Sequence, residues 1–140
     1  MSVITFFCPN CWMEVEESDK ICPRCGTNIE KWRARHDYSE RLIAALRHPE
    51  PSTPVRVAWV LGERKEERAV EPLTEVIEKT GDAFGAEAAV EALGKIGGAR
   101  AEEAVRRATG HTSLRVRAKA CETLRRFRPA AKGIDKEVAR

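Results

Sequence analysis

Val60-Leu61-Gly62 returns 32 positions later as Ala92-Leu93-Gly94 and, 31 positions after that, as Thr123-Leu124-Arg125. A Leu mark recurring with a period near 32 is the signature of stacked units, each too small to bury its apolar side alone. Around each mark the apolar residues fall at helical spacing. Val57, Val60 and Leu61 form one stripe, with Thr53 the expected N-cap, Pro54 the first helical residue and Gly62 the expected stop. Upstream, Leu42, Ile43 and Leu46 share a face, and His48-Pro49-Glu50-Pro51 ends that helix. A further helix follows each of the first two marks, over Ala69 to Ile77 and Ala101 to Ala108. Pro72 then has to lie in a first turn, where its missing amide costs nothing. Alanines at 83, 86, 88, 89, 92, 99, 101 and 104 let paired helices approach closely. The predicted fold class is therefore mostly α, a solenoid of about three helical hairpins with Leu61, Leu93 and Leu124 in equivalent buried places.

The stretch Val116-Arg117-Ala118-Lys119-Ala120-Cys121-Glu122-Thr123-Leu124 resembles the V-R-x-x-A-x-x-x-L helix of HEAT-like repeats of the short, phycobilisome-lyase type, and the resemblance runs from about residue 38 to 128. It implies an α-solenoid that serves as a binding scaffold. It implies no activity, because fold and function separate in such arrays. Deoxyhypusine hydroxylase, a HEAT-like enzyme, binds iron through paired His-Glu dipeptides, and this sequence contains none. Nor does so small a chain offer a site for a bilin.

The first 25 residues obey other rules. Cys8-Pro9-Asn10-Cys11 and Cys22-Pro23-Arg24-Cys25-Gly26 are two C-x2-C pairs ten residues apart. Each such turn points two thiolates at one ion, and two turns face to face complete the tetrahedral S4 set that suits zinc. A C-x-x-C redox pair would need a βαβ surround that 30 residues cannot supply, and a disulfide cluster fits a reducing compartment poorly. Met13 to Glu16 alternates as a short strand, and Glu17 to Lys20 reads as a turn, so two small hairpins are expected. The segment resembles the short zinc-ribbon domains built on two C-P-x-C-G turns, with Trp12 standing where the first turn usually has glycine. Four thiolates leave no open position for water, so one structural Zn2+ held by Cys8, Cys11, Cys22 and Cys25 is predicted. The fifth cysteine, Cys121, falls at a helix-packing position and is expected to be buried.

The 140 residues are 42% hydrophobic and 34% charged with a net charge of +3, enough for one modest domain and a small appendage. The division expected is a zinc ribbon over 1–30, a linker over 31–37, helical repeats over 38–128 and a flexible tail over 129–140. No long uncharged apolar run occurs, and the first seven residues lack the features of a signal peptide, so a cytoplasmic protein without membrane contact is expected. Residues 1–99 carry a net charge of −4 and residues 100–140 one of +7. The basic cluster Arg106, Arg107, Arg115, Arg117, Lys119, Arg125, Arg126 and Arg128 is the candidate partner-binding surface. His36, His48 and His111 lie far apart along the chain and read as solvated, so no catalytic constellation and no small-molecule site emerges. The function expected is that of a non-enzymatic adaptor for a protein with an acidic patch. The alternative is nucleic-acid binding by the basic helices and the ribbon, which lacks interleaved aromatic residues for stacking on bases.

Overall fold

The computed structural model describes residues 5–127. β1 (Phe6–Phe7) pairs antiparallel with β2 (Glu14–Val15), Phe6 opposite Val15 and Phe7 opposite Glu14. A single bridge between Ile21 and Asn28 closes the second expected hairpin. The stretch expected as linker is largely helical. Asn28 accepts from the Lys31 amide at 3.0 Å and caps α1 (Ile29–Arg35), whose first residue packs into the small core with Cys8, Val15 and Cys22.

Three helix pairs follow: α2 (Tyr38–Ala45) with α3 (Ser52–Glu63), α4 (Val70–Lys79) with α5 (Ala83–Ile96), and α6 (Ala99–Ala108) with α7 (Leu114–Leu124). The three helices bearing the Leu marks stack side by side, α3 on α5 and α5 on α7, while α4 meets α6 in a second layer. Leu61 and Leu93 are fully buried. Leu124, at the end of the described stack, is only partly covered. No helix among the described residues is long and apolar enough to cross a membrane.

Gly62 does not stop its helix. It lies inside α3 with Glu63 beyond it, and its role is close approach: a Cβ there would sit 2.9 Å from the Cα of Ala92. Gly94 does the same one repeat later, where a Cβ would come within 2.3 Å of Thr123 Cγ2. Each glycine thus receives the residue that precedes the next repeat's Leu mark. The turn after α3 is made instead by Lys65 at φ 51, and α5 ends at Gly97 with φ 76.

Thr53 is likewise not the cap of α3. The N-cap is Pro51, which has no polar side chain, and the Glu50 carboxylate just ahead of it accepts from the Ser52 amide at 3.2 Å, the Ser52 hydroxyl at 2.5 Å and the Thr53 hydroxyl at 2.9 Å. Those bonds, the Ser52 hydroxyl foremost, hold the Glu50 carboxyl down to about 2. A glutamate two residues ahead of the helix does the work usually done by a shorter side chain at the cap itself.

Charged side chains stitch the repeats together with a fixed polarity. Asp37 meets Arg68 at 3.1 Å, Glu63 meets Lys95 at 2.5 Å, Glu78 meets Arg107 at 3.0 Å and Glu87 meets Arg115 at 2.9 Å, and Glu71 pairs with Arg100. In every case the carboxylate belongs to the earlier unit and the cation to the later one. Three of these rungs, at Arg100, Arg107 and Arg115, join the acidic first part of the sequence to its basic last part. The rungs are exposed or half-exposed, with Lys95 and Glu87 the most covered, and each contributes about 0–1 kcal/mol, so the ladder aligns the stack more than it stabilises it.

Candidate metal centre

Each C-x2-C pair is held by the same two backbone bonds. Cys8 N–H donates to Met13 O and Trp12 N–H to Cys8 O, both at 2.9 Å, while Cys22 N–H donates to Thr27 O and Gly26 N–H to Cys22 O, also at 2.9 Å. Gly26 reaches this geometry at φ 74, and Trp12 adopts the same left-handed conformation at φ 60. The unusual tryptophan therefore leaves the turn's backbone as glycine would make it, at the steric cost of a Cβ in that region, about 1–2 kcal/mol.

The two turns bring all four sulfurs within 4.8 Å of one another. Cys8 and Cys25 Sγ are 3.7 Å apart, as are Cys11 and Cys22 Sγ. A tetrahedral ion with metal–sulfur bonds of about 2.3 Å requires sulfur–sulfur edges of about 3.8 Å, nearly twice the length of a disulfide bond. The four thiols are thus spaced to hold a metal ion and too far apart to be disulfides. Burial pushes the Cys8 thiol up to about 11. Cys25, exposed, is held down to about 5, first by the Thr27 hydroxyl 3.1 Å away and then by the Thr27 amide, with the Asn10 side-chain amide donating to the sulfur at 3.7 Å. The site is uneven: one sulfur is ready to lose its proton, whereas the buried one needs a cation beside it.

The predicted partner-binding residues are dispersed along α6, α7 and the turn after it. Arg106 pairs with Glu102 and Glu103 on its own helix, Arg107 and Arg115 with the preceding repeat, and Lys119 lies 3.6 Å from Glu122 and 4.0 Å from Glu91. Arg115 also covers the exposed ring of Phe84 at 4.6 Å. Arg117 donates to the carbonyls of His111 and Thr112 at 2.8 and 3.0 Å, closing the loop before α7. Among the described residues, Arg125 and Arg126 have no carboxylate partner, and both are exposed. Arg128 and the expected tail lie outside the described residues.

Two expectations need correction. Cys121 is exposed, not buried. Ala58 and Val90, its equivalents in the earlier marked helices, are buried and lie on helices that pack against the next repeat's marked helix, whereas α7 is the last α-helix described. The histidines are not simply solvated either, for each is partly buried. His36 stacks on Trp32 at 4.0 Å, and His111 lies 3.1 Å from the Ile77 carbonyl through Nε2 and accepts from the Ser113 amide through Nδ1. His48 sits against Phe7 and Trp12, with ring centroids 4.7 and 5.0 Å away. No spacing rule in the sequence could have joined His48 to Trp12. A cleft of about 930 Å³ opens beside these contacts, lined by Asn10, Trp32, His36 and His48 and by Ile43, Pro54, Pro72 and Val76 of the repeats.

Fold and site together define a helical-repeat protein bearing a four-cysteine, metal-competent module at its N-terminal side. The chain belongs to the HEAT repeat family, whose model matches residues 39–125. Comparison with curated proteins gave no significant match.

Proposed function

We propose that this protein is a non-enzymatic adaptor that holds one structural Zn2+ through Cys8, Cys11, Cys22 and Cys25 and uses its repeat surface to bind another protein. The observation that carries the zinc reading is the 3.7 Å spacing of opposite sulfurs, which matches a closed tetrahedral thiolate shell. A closed shell has no position for substrate or water, which favours a structural over a catalytic ion. Helical repeats offer an extended surface suited to docking a partner's segment, and family membership supports that use.

The ion-pair ladder narrows where an acidic partner can dock. Arg107, Arg115 and Lys119 already face carboxylates, and Arg117 is engaged by backbone carbonyls. The free positive charge left on the described C-terminal helices is concentrated at Arg125 and Arg126. That distribution favours a protein with a small acidic patch over a nucleic acid, which would draw on a broad, unpaired basic face.

Affinity capture with the full chain, with and without nuclease, tests the reading. The expected result is a partner retained after nuclease treatment, bound less tightly as salt rises, and weakened by Arg125→Glu/Arg126→Glu at unchanged melting temperature. Loss of all binding on nuclease treatment would favour the nucleic-acid reading instead.

A further inference from the structure

We infer that the cysteine module is clasped to the first helical repeat through His48, so that loading of the ion fixes the entry to α3. The inference rests on the metal reading above and adds a mechanical consequence to it.

The clasp is built from the first cysteine turn. Phe7 immediately precedes Cys8 and Trp12 immediately follows Cys11, so the two rings are positioned by the very residues that point sulfur at the ion. They converge on one imidazole: Phe7 meets His48 edge-on with planes at 71°, and Trp12 meets it tilted at 59°. His48 lies in the loop joining α2 to α3, and its Nδ1 accepts the Glu50 amide at 3.0 Å. Glu50 in turn gathers the Ser52 amide and the Ser52 and Thr53 hydroxyls that open α3. An unbroken series of contacts therefore runs from the cysteine turn through two aromatic rings and an imidazole to the N-terminus of a core helix.

Trp12 carries two costs at this point. Its backbone is left-handed at φ 60, where Gly26 serves the same turn without strain, and its Nε1 is buried with no hydrogen-bond partner among the described residues. Neither cost serves the turn itself, since glycine would make the same backbone bonds. The indole's packing on His48 is what offsets them. Strain held in place by surrounding contacts marks a position with a task, and here the task is docking.

The ion enters because the module has little else to keep the turn in shape. Its buried core is Cys8, Val15, Cys22 and Ile29, half of it thiol. Without a cation the four sulfurs have no common partner, the first turn relaxes, and Phe7 and Trp12 no longer hold His48 from two sides. The loop from His48 to Pro51 and the wall it gives the 930 Å³ cleft then lose their support.

Nuclear magnetic resonance of the full chain tests this, with metal content measured on the same samples before and after treatment with EDTA. In the zinc-loaded protein the His48 ring protons carry a ring-current shift from Phe7 and Trp12. Chelation should abolish that shift and move the Glu50 and Thr53 amides, while the His111 ring, held by the Ile77 carbonyl of α4 and the Ser113 amide, stays in place. Trp12→Gly should retain one zinc and its left-handed turn, yet show the released His48 signals whether or not zinc is present. His48→Ala probes the same contact from the repeat side: with zinc bound, the Glu50 and Thr53 amides should no longer respond to chelation. An ion-bound parent whose His48, Glu50 and Thr53 signals ignore chelation, or a zinc-loaded Trp12→Gly variant that keeps their response, would overturn the clasp. A parent chain that carries no metal would instead sink the zinc reading on which the clasp depends.

Discussion

The cysteine module and the helical body are both built by repetition, but they are held together by different physics. The module repeats a turn, with Cys8 to Trp12 matched by Cys22 to Gly26, and buries so little that half its core is metal-competent sulfur. The body repeats a helix pair and buries a continuous apolar core that runs from Leu46 to Ala120. One is organised by coordination chemistry, which needs few residues at fixed distances, and the other by packing, which needs many residues at a fixed period. That difference explains why the two halves tolerate departures differently. Trp12 can replace a glycine because the turn needs only backbone bonds, whereas Gly62 has no room for even a methyl group, because Ala92 of the next repeat presses on it.

The largest effect that could break this comparison is removal of the ligands. Cys8→Ser/Cys22→Ser should abolish metal binding and with it folding free energy on the order of 10 kcal/mol in the module. The helical content of the body should be almost unchanged by circular dichroism. If the helices melt as well, the body is not self-sufficient and the contrast between the halves fails.

Within the body, Leu93→Ala should cost about 2–5 kcal/mol in denaturant unfolding, the range for emptying a fully packed site. Leu124→Ala, at the partly covered end of the stack, should cost about 1 kcal/mol. Equal losses would mean that the end of the stack is as well buried as its middle. Gly62→Ala sharpens the same point. Alanine gains about 1 kcal/mol of helix propensity at such a position. Because the clash is with the Ala92 backbone, overpacking of about 1–3 kcal/mol should outweigh it and leave the variant less stable in the same unfolding assay.

Much of this was legible in the sequence, and the failures are instructive. The Leu marks, the proline placements and the four ligands are local signals whose meaning does not depend on what lies next to them in space. Gly62 was misleading because a glycine just after an apolar stripe carries the same pattern as a helix stop, and only the neighbouring helix reveals its purpose. Cys121 occupies the position that Ala58 and Val90 hold in the interior, so the period alone implies burial. Exposure follows from its place in the last described helix. The docking of Trp12 on His48 joins residues 36 positions apart in elements of different periodicity, and no pattern in the chain announces it.

The smallest effect expected is one of pH. Glu50 has its carboxyl held below the ordinary value of 4.5, at about 2, by the groups that open α3. A carboxyl lowered on folding contributes stability that is present above its ordinary value and lost as the pH falls towards the folded one. In the folded chain the Ser52 and Thr53 amide signals should therefore titrate with a midpoint at pH about 2 and not near 4.5, and Glu50→Gln should remove that transition. A transition that persists in Glu50→Gln would assign the cap to another group.

X-ray absorption at the zinc edge, on protein purified in reducing buffer without chelator, tests the central claim most directly. The account predicts one zinc per chain surrounded by four sulfurs at about 2.3 Å and no lighter ligand. Metal-free protein with a folded module, or a shell containing oxygen or nitrogen, would contradict it.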